Sequence, residues 1–236
     1  MKRVMWVIFP LSFSVSFLAQ GTPIFQHLGA TDPQNEGFTL TLAAGGAVGP
    51  VIGDLGRESW SVVSSGAPAS YSHSFTSHQQ TTIAGSDWAL SATFRIVQSP
   101  NIWMAFYTDS QQFALSFEMQ PDGDPVVNSH SIQAPAFVLN GGGPGYHDYQ
   151  LAYHAATGQA SLWVDGSERV SDITGVPGFS GWTVFWGAAQ GTASQANWNR
   201  VSFEVVPEPS PGIIMFTGGL LVVLRSLLAP RRWFRT

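Results

Sequence analysis

The chain has 236 residues, 13% of them aromatic and 11% charged, with 25 glycines, 15 prolines and no cysteine. That length suits one domain with a real core, and the composition excludes a disordered chain, disulfides, zinc thiolate sites and cysteine catalysis. The formal charge of −5 conceals a segregation: between residues 22 and 209 only Arg57, Arg95, Arg169 and Arg200 face all fifteen carboxylates (4 − 15 = −11), which argues against a nucleic-acid-binding face.

Residues 1–21 have the make-up of a secretory signal. Lys2 and Arg3 form a basic start, Val4 to Leu18 an apolar stretch, and Ala19-Gln20-Gly21 a small-x-small cleavage site. Ser12, Ser14 and Ser16 make that stretch short and weakly apolar for a permanent span. The lack of cysteine and of any Asn-x-Ser/Thr acceptor fits a bacterial envelope protein.

From there to residue 206, apolar and polar residues alternate with a period of two between turns rich in Gly, Pro, Asp and Ser. Strands are expected near Phe38–Leu42, Trp60–Ser64, Tyr71–Thr76, Trp88–Val97, Trp103–Thr108, Phe113–Met119, Val126–Ile132, Phe137–Leu139, Tyr146–His154, Ala160–Val164, Thr183–Ala189 and Asn197–Val206. No stretch carries a convincing amphipathic helical pattern. In the Trp88 segment the large apolar side chains fall on one face, with Ser91, Thr93 and Arg95 on the other. In the Phe113 segment Phe113, Leu115, Phe117 and Met119 face inward, with Ser116, Glu118 and Gln120 outward. Near the end, Val201, Phe203 and Val205 oppose Trp198, Arg200, Ser202 and Glu204. So many half-buried strands imply two packed sheets.

One stretch is distinctive: Tyr146-His147-Asp148-Tyr149-Gln150-Leu151-Ala152-Tyr153-His154, an Ala156-Thr157-Gly158 turn, then Ala160-Ser161-Leu162-Trp163-Val164-Asp165-Gly166. With Phe185-Trp186-Gly187-Ala188 and the closing Ala196 to Val205 run, it resembles the concanavalin A-like lectin/glucanase superfamily, including its laminin-G-like members. The resemblance covers roughly residues 30 to 206 and implies an all-β, two-sheet antiparallel jelly-roll sandwich over residues 22–206. It says more about fold than function.

The C-terminal end, residues 207–236, has three features in order: Val206-Pro207-Glu208-Pro209-Ser210, an apolar run from Ile213 to Leu224, and Arg231-Arg232-Trp233-Phe234-Arg235. The prolines keep a helix from running back into the domain, and the arginines hold the far end in the cytoplasm. This tail resembles the PEP-CTERM sorting signal of exosortase-bearing bacteria. The resemblance implies a transient stay in the inner membrane and a cut near the Pro-Glu-Pro. Arg225 interrupts the apolar segment, and a helix over 213–229 would cover about 25 Å, enough only if Arg225 snorkels. A plain tail anchor is the alternative.

The chemistry of the body points away from catalysis. The Glu-x-Asp-x-x-Glu arrangement that supplies a laminarinase-type acid and nucleophile is absent, and Glu118 stands alone on its strand. There is no Gly-x-Ser-x-Gly elbow. His73 and His78 are five apart and would point to opposite faces of an extended segment. Asp122 and Asp124 could offer oxygens to calcium or simply cap their own turn, and no other cofactor is indicated. A sugar would instead be held by stacking on aromatic rings and by planar polar groups. Alternation nominates Arg95, Tyr107, Glu118, Gln120, Trp163, Trp198 and Arg200 for that role. The expected protein is therefore an exported, exosortase-processed surface or matrix protein that binds glycan. A purely structural exopolysaccharide-associated role and an atypical glycoside hydrolase or lyase are the alternatives.

Overall fold

The computed structural model describes residues 22–130, 137–178, 181–189 and 191–206; the signal, the Pro-Glu-Pro motif and the 213–229 span lie outside the described residues. Fifteen strands follow in chain order. They are β1 (Thr22–Leu28), β2 (Thr39–Leu42), β3 (Ala47–Asp54), β4 (Arg57–Ser65), β5 (Ala69–Ser74), β6 (Asp87–Gln98), β7 (Ile102–Tyr107) and β8 (Gln112–Met119). The rest are β9 (Pro125–Ser129), β10 (Phe137–Val138), β11 (His147–His154), β12 (Gln159–Val164), β13 (Ser167–Thr174), β14 (Thr183–Ala188) and β15 (Ala193–Val206). They form an antiparallel jelly-roll sandwich of two sheets. An eight-stranded sheet runs β13-β12-β11-β6-β15-β4-β3, with β1 beside β15, and a seven-stranded sheet runs β10-β9-β8-β7-β14-β5-β2.

The alternation read from the sequence builds both inner faces. Trp88, Leu90, Ala92, Phe94 and Ile96 of β6 are buried against Phe113, Leu115 and Phe117 of β8 and their neighbours. Each large apolar side chain withdrawn from water contributes roughly 1.5–3 kcal/mol. The core is mostly aromatic. Trp186 stacks on Tyr71 at 4.8 Å and on His27 at 5.3 Å, and Trp60 Nε1 donates to Tyr71 Oη at 2.9 Å, tying one sheet to the other. Burial pushes the Tyr71 hydroxyl up to about 12, so it stays protonated.

Several expectations need correction. Trp198, expected outward, is fully buried, with its ring 4.3 Å from Phe94 and 5.0 Å from Trp186. The cause is a β-bulge: pairing with β6 jumps from Trp198↔Phe94 to Arg200↔Thr93. The extra residue reverses the alternation, so Trp198, Val201 and Phe203 all face the core while Asn199 and Arg200 both lie on the outer side. A short helix, α1 (Ser77–Ile83), is also present, closed at its start by a Thr76/Gln79 capping box. It buries only Ile83, which leaves no amphipathic stripe to read. His78 therefore sits on a helix, not on an extended segment beside His73. The Val126–Ile132 segment is a strand only to Ser129, and Ile132 lies outside the described residues.

Three strands escape period-two reading altogether. β3 carries two glycines and Pro50 at the sheet edge, where a missing N–H is tolerated. β13 is the opposite edge and is polar along most of its length. β1 follows directly on the proposed signal and adds to the second half of β15.

His27 is fully buried on β1, with Nδ1 2.6 Å from Glu36 Oε2. Burial outweighs that contact and lowers the imidazole below its ordinary value, and burial lowers His73 and His130 as well. The unfolded chain thus binds these protons more readily. Their contribution to stability is present above about pH 6.5 and is lost as the pH falls toward the folded values. The melting temperature should accordingly drop between pH 7.5 and pH 5, with a shallower drop in His27→Gln, as followed by calorimetry. Asp54 and Asp124, held below the ordinary aspartate value, add a second loss only below about pH 4.

Candidate functional site

At one end of the sandwich, where β6 begins and β11 finishes, lies a cleft of 210 Å³ lined by Trp88, Phe113, Tyr153, Trp182, Thr108 and Gln111, with Ser110 and the end of α1 at its rim. Its floor comes from cross-strand pairing. Trp88 and Tyr153 are register partners, and their rings stack at 5.0 Å and 7°. Phe113 meets both edge-on at 5.4 Å.

The β7–β8 hairpin forms one wall because Thr108 closes it. The Thr108 N–H donates to Gln111 O at 2.8 Å, while its hydroxyl oxygen accepts from the Gln111 N–H at 2.9 Å. This tight turn frees the Asp109 carboxylate to accept from Trp182 Nε1 at 3.0 Å and from the Gly181 N–H at 3.2 Å. Trp182 is thereby fixed as a half-buried aromatic wall. The opposite wall is Ile83, Ala84 and Gly85, held where α1 ends by the Ala84 N–H donating to Gln80 O at 2.8 Å.

The cleft is smaller than the roughly 300–1,000 Å³ of drug-sized pockets, a size suited to one ring. Half-buried Tyr153 and Trp182 offer aromatic surface, while the Ser110 hydroxyl and the Gln111 side-chain amide have no partner among the described residues. No charged side chain is among the described lining residues. Aromatic surface beside uncharged hydrogen-bonding groups is the chemistry that takes the C–H face and hydroxyls of a neutral sugar.

The residues nominated from the sequence do not converge on this cleft. Arg95, Trp163 and Arg200 lie on the outer face of the eight-stranded sheet, Tyr107 and Glu118 on that of the seven-stranded sheet, and Trp198 in the core. Gln120 sits in the β8–β9 turn, its N–H donating to Asp124 O at 2.9 Å. Sequence reasoning missed Tyr153, read only as part of a strand, and Trp182, which precedes its strand. The available signal was the aromatic pair Trp88 and Tyr153 near facing strand ends.

Asp122 Oδ1 accepts the Asp124 N–H at 3.1 Å, and the Asp124 carboxylate accepts the N–H groups of Gly141 at 2.8 Å and Gly143 at 3.1 Å. Those bonds lower the Asp124 carboxyl and clamp the Gly141 to Gly145 loop to the turn. No cluster of three or more metal-ligating side chains occurs among the described residues. The Asp165-Gly166 pair turns β12 into β13 with φ of 50° and 73°, as a tight hairpin requires. Its carboxylate is spent on His147 Nδ1 at 2.9 Å and the Asp148 N–H at 2.9 Å.

A second polar convergence lies about 23 Å away along β6. Asp54, at the tip of the β3–β4 hairpin, accepts at one carboxylate oxygen from Asn197 Nδ2 at 2.7 Å and the Tyr146 hydroxyl at 2.8 Å, with Arg95 Nε 3.2 Å away. Burial alone would raise this carboxyl, but the Asn197 and Tyr146 bonds and the Arg95 charge outweigh it and hold it low. Burial, with Asp54 beside it, pushes the Tyr146 hydroxyl up to about 12.

Among solved structures, a carbohydrate esterase from the Shiga toxin-encoding bacteriophage phi24B aligns with TM-score 0.55 at 14% identity, over 80% of this chain and 100% of that one. The binding domain of Botulinum neurotoxin DC, in complex with rat synaptotagmin II, aligns with TM-score 0.51 at 9% identity, over 84% of this chain and 51% of that one. The present chain thus spans about half of that structure. The same domain in complex with SialylT gives 0.50 at 9%. At such identities the likeness is one of fold. No curated protein matches the chain. The family model described as "Vibrio cholerae sialidase, lectin insertion" matches residues 55–205, more than half of the chain and all the strands from β4 through most of β15, so the protein belongs to the family of that lectin insertion.

Proposed function

We propose that this protein is an exported, non-catalytic glycan-binding module that seats one neutral sugar ring of a surface or matrix polysaccharide in the cleft between Tyr153 and Trp182. The observation that carries this reading is the cleft's chemistry: stacked aromatics, a tryptophan locked by Asp109, and free hydroxyl and amide groups without a charge. Membership in a lectin-insertion family supports binding over turnover. Glu118 is half-buried on a sheet's outer face with Val126 as its β9 neighbour, an arrangement without the partner carboxylate that glycosidic cleavage uses.

Binding of the purified protein to a panel of neutral oligosaccharides tests the reading. Trp182→Ala and Tyr153→Ala should each weaken binding about five- to tenfold, the value of a lost stacking contact, while Trp163→Ala leaves it unchanged. Failure to bind any neutral glycan would favour a purely structural role. Turnover of a glycan abolished by Glu118→Gln would favour an enzyme.

The export part of the proposal rests on the signal-like residues 1–21 and the Pro-Glu-Pro, apolar and basic tail. Exosortase would act on the Val206-Pro207-Glu208-Pro209-Ser210 segment, releasing the body or transferring it to the surface. The intact mass of the mature protein should correspond to cuts near Gly21 and near Pro207. Recovery of the full-length mass from the cytosol would contradict it.

A further inference from the structure

Three of the four arginines of an otherwise acidic body lie on the outer face of the eight-stranded sheet, at the end away from the cleft. Arg95 leaves β6 beside Asn197 and approaches Asp54 only through Nε. Arg57, on the β3–β4 hairpin, places its guanidinium over the Tyr146 ring, 5.3 Å from the centroid, and its one hydrogen bond is a long 3.5 Å contact to Asn199 Oδ1. Arg200 is turned onto the same face by the bulge, directly after Asn199, and has no hydrogen-bond partner among the described residues.

The neighbouring carboxylates consume one of these donors, Arg95 Nε on Asp54, and leave Arg57 and Arg200 without an ion-pair partner among the described residues. Asp54 Oδ2 is already filled by Asn197 and Tyr146, and Asp148, on the Arg200–Thr93 row, accepts the Thr93 hydroxyl. Three of the body's four positive charges gather here, beside the carboxylates of Asp54, Glu58, Asp148 and Asp165 (3 − 4 = −1), within a body of −11. A folded protein gains little from exposed guanidinium groups left unpaired. They are suited to donate paired N–H groups to a planar anion. The negative remainder of the surface repels an anionic polymer and leaves this face as its landing place.

We propose that the face formed by Arg57, Arg95 and Arg200, with Tyr146 and Asn199 between them, is a second binding site that takes the carboxylate groups of an acidic polysaccharide. It does not depend on the cleft, which takes a neutral ring. Tyr146 is the structural centre: its hydroxyl fixes Asp54 and hence Arg95, and its ring positions Arg57.

The probe is polygalacturonate, with neutral dextran as the control, titrated into the full chain at low ionic strength and again in 0.5 M salt (about a 4 Å screening length). Polygalacturonate should bind at low salt and be released at high salt. The Arg57→Gln/Arg200→Gln double variant should bind it roughly tenfold or more weakly. Both side chains are exposed, and Arg57 holds only the Tyr146 ring and a 3.5 Å contact to Asn199, so the variant should lose no more than about 1 kcal/mol of stability. Trp182→Ala should bind polygalacturonate as the parent does, which separates failure here from failure of the cleft reading. Absence of binding at low salt, or equal binding by the double variant, overturns the proposal.

Discussion

Replacing Trp198 with alanine should cost the sandwich about 4 kcal/mol, read as a lower urea midpoint with an unchanged slope. The indole is fully buried between Phe94, its neighbour on β6, and Trp186 from the opposite sheet. Truncation forfeits the largest transfer term available to a single side chain and leaves a cavity that rigid strands fill poorly. Domains of this size are stable by only about 5–15 kcal/mol, so the variant should be marginal at 37 °C. Trp163→Ala, on the outer face of β12, should change stability by about 1 kcal/mol or less. If both variants unfolded at the parent's urea concentration, the bulge after Trp198 would be misplaced and the indole would face solvent. Loss of glycan binding in Trp198→Ala would say nothing of a binding site, because the fold itself is at stake.

Gly187→Ala should be nearly as damaging, at about 3 kcal/mol. Gly187 lies on β14 between β7 and β5 with φ of 138°, and an added Cβ would fall 2.6 Å from the Ala69 carbonyl oxygen and 2.7 Å from Ser70 Cα. Both are backbone atoms of β5, so relief requires moving a strand rather than turning a side chain. Gly49→Ala, on the edge strand β3 with open space around its Cβ position, provides the contrast and should fall within about 0.5 kcal/mol of the parent. Equal melting temperatures for the two variants would refute the close approach of β14 to β5. Chemical denaturation of both, side by side, decides it.

Much of the fold was legible because burial on one face of a strand writes itself as a period of two. β6 and β8 show this well: the large apolar residues expected inside are buried, except that Met119 at the end of β8 is half-buried against the core, and Ser91, Arg95 and Glu118 are on outer faces. The strands that escaped notice are those where this constraint lapses. β3 and β13 are sheet edges with little to bury, and α1 buries one residue. The Thr76/Gln79 pair was a capping signature in plain view, but a helix of one buried residue offers no periodicity to accompany it.

The sites were less legible, for a different reason. A cleft joins residues distant in sequence, and Tyr153 and Trp182 meet only because β11 and β14 finish and start at the same end of the sandwich. Likewise Arg57 and Arg95 share a surface because Tyr146 and Asp54 bring the β3–β4 hairpin over the sheet. No local pattern encodes either meeting.

What the sequence determined by itself was the class of object: an all-β sandwich with an acidic body. These follow from composition and short-range alternation, which act residue by residue. The tertiary structure decided the rest, namely which aromatic residues are core and which are surface. A single inserted residue at Asn199 reverses the face of everything before it, and its presence is set by pairing with β6, not by any preference of the local chain.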